Sequence, residues 1–305
     1  GMIYGFSGGL MSNGIYLLVM VLVSVISYGL GGAYGTAIAS LGMVSVTPMF
    51  IASKVFRSLS TDAVMVAELQ SQDTHVKTNL NRMNTLGQTT GALGNGFSAA
   101  CAMMATLSLF LSQMGLIPIP LLGSASLLSG IIGFVLGLTV MVWFLAGILR
   151  GTVVSILEAN KEVRRQFRDI PYLIEGKARP DVVKAANYHA LYALKALTVP
   201  GVVFVLASLG IGGLLGVGGL LGYVFGIVVV GLSQGFSWAN FGDSLAGASL
   251  YVENGHLGGP ESGRFQHLQT GKYYSTVFNE LLGPCSNILL KSVAIMSLLL
   301  LFLML

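Results

Sequence analysis

Residues 255–291 read GHLGGPESGRFQHLQTGKYYSTVFNELLGPCSNILLK and join a glycine-rich polar segment directly to an apolar run that continues to Leu305. About 20 apolar residues are enough to cross the hydrocarbon core of a bilayer, so the run predicts a membrane-spanning helix. Lys291 lies well inside it. A cation at that depth costs free energy and is retained mainly for function. The stretch therefore predicts a spanning helix that carries a functional polar position.

The composition extends this interpretation to the whole chain. Of the 305 residues, 54% are apolar and 9% are charged, whereas about a quarter of an ordinary soluble domain is charged. The sequence predicts an all-α polytopic membrane protein whose residues 1–305 form a single transmembrane helical domain. The net charge of +4 is interpreted as a result of basic loops that lie on one side of the membrane, and not as a sign of nucleic-acid binding. Membrane lipids are therefore expected partners, and nucleic acid is not.

About seven spanning helices fit the apolar runs, and several of them exceed the length that a bilayer requires. The polar ends of the second, fourth and sixth helices predict that they project beyond the membrane on one side. The predicted helices cover approximately residues 15–30, 34–69, 83–113, 121–158, 182–209, 214–252 and 277–305.

Three polar inserts, 70–83, 158–184 and 254–276, fall on the same side of this arrangement and carry most of the lysines and arginines. The opposite connections carry no charge. By the positive-inside rule the inserts define the cytosol-like side. The basic insert 158–184 is either an ordinary solvated loop or a surface that attracts anionic lipid head groups, and both interpretations remain open.

Several motifs resemble those of the membrane-integral pyrophosphatases that pump protons or sodium ions. They include GHLGG at 255–259, Gly-Pro at 283–284, Asn-Ile-Leu at 287–289 followed by Lys291, and GAYGTAIASLGM at 32–43. The spacings between the C-terminal motifs match the family without a gap. The resemblance covers the whole chain but only the C-terminal part of the family, and it implies a multi-pass integral membrane protein. Whether the N-terminal half exists elsewhere stays open.

The resemblance implies a site for magnesium pyrophosphate, built from carboxylates for Mg²⁺ and cations for phosphate oxygens. This sequence departs from the family at most of those positions. Aspartates, lysines and one asparagine of the family are replaced at the degenerate positions Thr61, Asn84, Gln88, Asn95, Ala246, Ser249, Leu250, Lys272, Thr276 and Asn279. The chain is therefore expected to have no catalytic residues, no metal site and no cofactor.

Three carboxylates are the remnant candidates for chemistry. Glu280 replaces a family aspartate conservatively, Asp62 lies one residue beyond a lost aspartate, and Asp243 lies about one helical turn before Ala246. Asp243 could substitute for the lost ligand, but a lone solvated or helix-paired carboxylate is the favoured interpretation. Lys291 matches a cation of the family's ion gate, and Asn287, one turn earlier, is its candidate hydrogen-bond partner. A buried ion pair and a snorkelling side chain are the alternatives for Lys291.

The sequence favours a non-catalytic, pyrophosphatase-like membrane subunit, a pseudoenzyme with a structural role in a larger complex. The alternative is one half of an active proton- or sodium-translocating pyrophosphatase, completed by another chain and dependent on Mg²⁺. A passive channel or lipid-binding scaffold that uses Lys291 has no motif behind it. The expected partners are other membrane-protein subunits or a homodimer mate, since the resembled family forms homodimers.

Overall fold

The structure is a computed structural model that describes residues 2–70, 74–118 and 124–305. These residues are almost entirely helical. A 3₁₀ turn, His256–Gly258, follows the fifth helix, and a π-helical turn, Phe278–Leu282, precedes the last one. The α-helices are α1 (Met2–Ser45), α2 (Thr47–Gln70), α3 (Thr74–Leu116), α4 (Ser124–Asp169), α5 (Val182–Glu253), α6 (Gly263–Val277) and α7 (Gly283–Met304).

Two of these helices reverse direction at glycines and form hairpins. Gly216, with φ 67°, breaks α5. In a straight helix Ser208 and Tyr223 would lie about 22 Å apart, yet the Ser208 hydroxyl donates to Tyr223 Oη at 3.3 Å. Gly32, with φ 60°, breaks α1 in the same way. Glycine adopts positive φ without the steric cost that a Cβ would impose, which explains its use at both reversals.

The hairpins account for the number of membrane spans. Five continuous helical stretches of the described residues are long and apolar enough to cross a membrane, and the stretches Gly5–Ala67 and Val182–Glu253 each contain one reversal. Counting both arms of each hairpin gives seven spanning segments. The prediction of an all-α, multi-pass integral membrane protein with about seven spans is confirmed.

The helix ends differ from the prediction on the polar side. α3 begins at Thr74, α4 continues to Asp169, and α6 occupies much of a segment predicted as a polar insert. The end of α4 is rich in Lys, Arg, Glu and Gln, which favour helix almost as strongly as leucine does. Hydropathy detects only the part of a helix that lies in lipid, so the bounds predicted from it leave out the polar ends of these helices.

The chain packs as two compact units, one from Gly1–Gly123 with Ile227–Leu305 and one from Ser124–Gly226. In the first unit α3 packs against α1, α2 and α7. The buried Gln113 amide of α3 donates to the Ala294 carbonyl and to the Ser297 hydroxyl of α7, both at 2.9 Å. Interhelical hydrogen bonds of this kind hold helices together where no water competes. The single domain expected for residues 1–305 stays a prediction.

The second unit is built on direct backbone contact between α4 and α5. A Cβ added to Gly222 would collide with the carbonyl oxygen of Gly130, and one added to Gly133 would collide with that of Gly219. Small residues allow membrane helices to approach this closely. The glycines of both helices therefore set the distance between them.

The projecting end of α4 is tied to the loop that follows it. Glu162, with a side chain only 3% exposed, accepts hydrogen bonds from Arg165 Nη2 at 2.7 Å and from Gln166 Nε2 at 3.0 Å. Gln166 also exchanges two hydrogen bonds with the Asp181 backbone, each 2.9 Å long. The donors on Arg165 and then Gln166 lower the pKa of Glu162 from 4.5 to about 2.

Glu162→Gln is expected to lower the unfolding temperature at pH 7 and to speed hydrogen exchange in residues 170–181. Because the folded-state pKa lies below the unfolded value of about 4.3, the ionised carboxylate stabilises the fold above that pH. Its contribution is lost as pH falls from about 4.5 toward 2. The difference from the parent protein should therefore shrink as pH falls from about 4.5 to about 2.

The matched control is Glu175→Gln, which removes an exposed ion pair with Lys177 and should change little, since surface pairs contribute about 1 kcal/mol at most. A Glu162→Gln deficit of the same size at every pH would contradict the assigned role of the carboxylate.

Candidate functional site

A polar site lies among α2, α3 and the second arm of α5, and consists of Arg57, Thr61, Asn84, Gln88, Asn95 and Asp243. It contains an ion pair in which Arg57 Nη1 lies 3.1 Å from Asp243 Oδ1, with the two side chains 12% and 14% exposed. Asn95 Nδ2 donates to the other carboxylate oxygen at 3.5 Å. Asp243 is thus held by a cation and an amide from two different helices.

The other half of the polar site is a neutral hydrogen-bond network. Gln88 Nε2 donates to the Thr61 hydroxyl oxygen at 3.0 Å. The Thr61 hydroxyl lies 3.0 Å from Asn84 Oδ1 and 2.9 Å from the Arg57 carbonyl oxygen, and it shares its single proton between these acceptors. Every group in this network is uncharged, so it stabilises helix packing without attracting a cation or an anion.

Two glycines of α3 bring it close enough to α2 to build the polar site. A Cβ added to Gly91 would collide with the Arg57 side chain, and one added to Gly87 would collide with Ser60 Oγ. Close helix approach through small residues is typical of membrane helix pairs. The stretch 87–97 therefore serves as a packing face in addition to supplying Gln88 and Asn95.

The structure brings together five positions that the sequence singled out: Thr61, Asn84, Gln88, Asn95 and Asp243. Asp243 is neither lone nor paired along its own helix, contrary to the favoured interpretation, because its cation comes from α2. Asp62 is exposed and does not join the site.

Arg57 was missed as a site residue. It lies four residues before Thr61, on the same face of α2, and that spacing was the signal available in the sequence.

Those of the remaining degenerate positions whose side chains the structure describes contribute little that could bind a charged ligand. Ser249 is buried, and its hydroxyl finds no hydrogen-bond partner among the described residues. Ala246 and Leu250 are half-buried on the same arm of α5. The side chains of Lys272, Thr276, Asn279 and Glu280 lie outside the described part of the structure, which gives only their helical backbone.

Lys291 lies on an exposed face of α7. Among the described residues it forms no ion pair, and no hydrogen bond joins it to the half-buried Asn287. The described chain thus does not supply the carboxylate of the buried ion pair considered from the sequence. A carboxylate on a partner stays a prediction.

The polar site does not fit Mg²⁺. Magnesium prefers an octahedral shell of oxygen ligands, usually with carboxylates among them. Asp243 is the single carboxylate among the described side chains of the polar site, and Arg57 already neutralises it. No group of three or more His, Cys, Asp and Glu side chains occurs anywhere in the part of the chain that is described.

An open polar groove lies beside the GHLGG segment. It has a cavity volume of about 790 Å³ and is lined by residues of α3, including Thr78, Arg82 and Thr85, and by the end of α5 from Glu253 to Gly255. Gly255, Gly258 and Gly259 have φ values of 95°, 105° and 70°. Only glycine adopts such angles readily, which explains the glycines of this tight turn.

The fold and the polar site define a class of protein, an all-α, multi-pass integral membrane protein with a polar site inside its helix packing. The sequence profile of the inorganic H⁺ pyrophosphatases matches residues 1–300. The chain belongs to this family.

Curated relatives with similar sequences are described as pyrophosphate-energised ion pumps. A putative K⁺-stimulated sodium pump of Clostridium tetani is 32% identical over 93% of this chain, and a K⁺-stimulated sodium pump of Thermotoga maritima is 30% identical over 95% of it. A K⁺-insensitive proton pump of Caldanaerobacter subterraneus is 27% identical over 97%. The matches cover 43%, 43% and 44% of those proteins, so the chain spans less than half the length of the curated relatives it matches.

Proposed function

We propose that this chain is a non-catalytic member of the membrane pyrophosphatase family that serves as a helical scaffold in a larger membrane assembly. The observation that carries the proposal is the polar site. There a neutral network joins Thr61, Asn84 and Gln88, which the resemblance matches to family motif positions, and Arg57 pairs with Asp243 beside it. A diphosphate with its Mg²⁺ ions needs several free carboxylates and cations. The described side chains of this site offer one carboxylate, and a cation already neutralises it.

A second candidate function is supported by the comparisons. The relatives are pyrophosphate-energised pumps, and this chain would then be one half of an active proton- or sodium-translocating pyrophosphatase. Helices outside this chain would supply the remaining metal ligands, Mg²⁺ would be the cofactor, and Glu280 and Lys291 would belong to the active machinery. The partners would be a complementary half and, as in the resembled family, a homodimer mate.

The deciding experiment measures the composition and the activity of the gently solubilised native particle. Under the scaffold proposal the chain co-purifies with several different subunits in fixed ratio. Magnesium pyrophosphate then leaves the unfolding temperature of the particle unchanged, and the particle shows no hydrolysis that depends on this chain.

Variants of Glu280 and Glu175 make the test specific. Hydrolysis that Glu280→Ala abolishes and the exposed control Glu175→Gln preserves would overturn the scaffold proposal and establish the pump half. Isolation of the chain alone, or only with a complementary pyrophosphatase half, would point the same way.

A further inference from the structure

A groove on the second unit combines two cations with apolar lining residues. It runs between α4 and the first arm of α5 and has a cavity volume of about 360 Å³. Arg150 and Lys195 are its charged residues, and no acidic residue lines it. Both side chains are exposed, and neither forms an ion pair with any residue that the structure describes. The groove therefore carries an uncompensated double positive charge.

The two cations lie at the level of the lipid head groups. Along α4, Arg150 lies about 34 Å beyond Leu127, which is near the start of the apolar part of that helix. Along α5, Lys195 lies about 31 Å before the reversal at Gly216. The hydrocarbon core of a bilayer is about 30 Å thick. Each cation thus sits where its helix leaves the hydrocarbon on the basic side.

The groove continues from the cations toward the hydrocarbon as a small-residue floor. A Cβ on Gly147 would lie 2.8 Å from Pro200 Cγ, and one on Gly151 would collide with Ala196. Val199, on the hydrocarbon side of Lys195, forms an apolar wall and is 67% exposed. An apolar groove that extends from a pair of cations toward the hydrocarbon is complementary to an acyl chain below an anionic head group.

Two side-chain contacts hold the groove in shape. The Lys195 ammonium lies 5.3 Å from the centroid of the Tyr192 ring, which restrains it by a cation–π contact. On the side of the groove away from the hydrocarbon, the buried Ser155 hydroxyl lies 3.0 Å from both the carbonyl oxygen and Nδ1 of His189 and fixes α4 against α5.

We infer that this groove is a binding site for an anionic phospholipid, with the phosphate held between Arg150 and Lys195 and an acyl chain lying along Gly147, Val199 and Pro200. Basic pockets between membrane helices on the cytosol-like side bind anionic head groups in this way. The inference does not depend on whether the chain takes part in pyrophosphate hydrolysis.

The test measures lipid retained by the full-length protein in a neutral detergent, using native mass spectrometry after addition of phosphatidylglycerol or phosphatidylcholine. The parent protein is expected to retain phosphatidylglycerol and to release phosphatidylcholine. In R150Q/K195Q, retention of phosphatidylglycerol should fall roughly 25-fold, because each cation near an anionic head group contributes roughly a factor of five. Both side chains are exposed, so the double variant should fold and melt like the parent.

R164Q/R179Q is the matched control, since it removes two exposed cations of the polar insert and leaves the groove intact. It should bind phosphatidylglycerol like the parent protein. If R164Q/R179Q lost as much phosphatidylglycerol as R150Q/K195Q, the lipid would be held by general attraction to the basic insert and not by the groove, and the inference would be overturned. Displacement of the lipid by inorganic phosphate at equal concentration would also overturn it, because the site would then bind a soluble anion.

Discussion

Asp243→Ala is expected to lower the free energy of unfolding of the first unit by about 3 kcal/mol, because removing one partner of a buried ion pair leaves the other charge uncompensated. Arg57 is the group left behind, with a side chain only 12% exposed. The loss also frees Asn95, whose amide donates to the same carboxylate. The effect should appear as a lower unfolding temperature in detergent and as faster hydrogen exchange where α2 meets α3.

Two further variants separate the ion pair from other consequences of the substitution. R57M/D243L replaces both charges by apolar groups and should recover most of the lost stability, since buried ion pairs are often no more stabilising than apolar residues of similar volume. Asp62→Ala removes an exposed carboxylate from the neighbouring turn of α2 and should melt like the parent protein. If Asp243→Ala were as stable as Asp62→Ala, the proposed structural role of the pair would fail.

The same ion pair illustrates what the sequence could and could not predict about the polar site. Substitutions at Thr61, Asn84, Gln88 and Asn95 were recognisable from motifs, because each motif is local in the chain. The pairing of Arg57 with Asp243 joins residues 186 positions apart, and no local pattern records which helix faces which. The sequence thus predicted the loss of charge but not the contact that replaced it.

The fold was predictable to the extent that lipid dictates it. The lengths of the apolar runs predict the seven spans. Their all-α class follows because every backbone polar group in hydrocarbon must be satisfied within a helix. Where α3, α4 and α6 extend into water, the apolar criterion no longer applies, and their bounds were missed. The grouping of helices into two packing units cannot be predicted from the apolar runs for a related reason, since glycine contacts between distant helices leave no mark on hydropathy.

Gly222→Leu is expected to disrupt the second unit. A Cβ at this position would collide with the carbonyl oxygen of Gly130, and a backbone atom cannot move aside as a flexible side chain can. Overpacking a core usually costs about 1–3 kcal/mol, and we expect a loss at or above the top of that range here. Hydrogen exchange should accelerate across residues 124–226 and much less in the first unit.

Gly210→Leu is the matched control for this substitution, because it lies in the same hairpin helix and a Cβ there meets nothing within 4 Å. It should melt at the parent temperature or slightly above, since glycine inside a helix is less stable than alanine by roughly 0.5–1 kcal/mol. If both variants lost the same free energy of unfolding, the cause would be the larger side chain in lipid and not the contact between α4 and α5. A large loss confined to Gly222→Leu would establish the glycine contact as the feature that holds the second unit together.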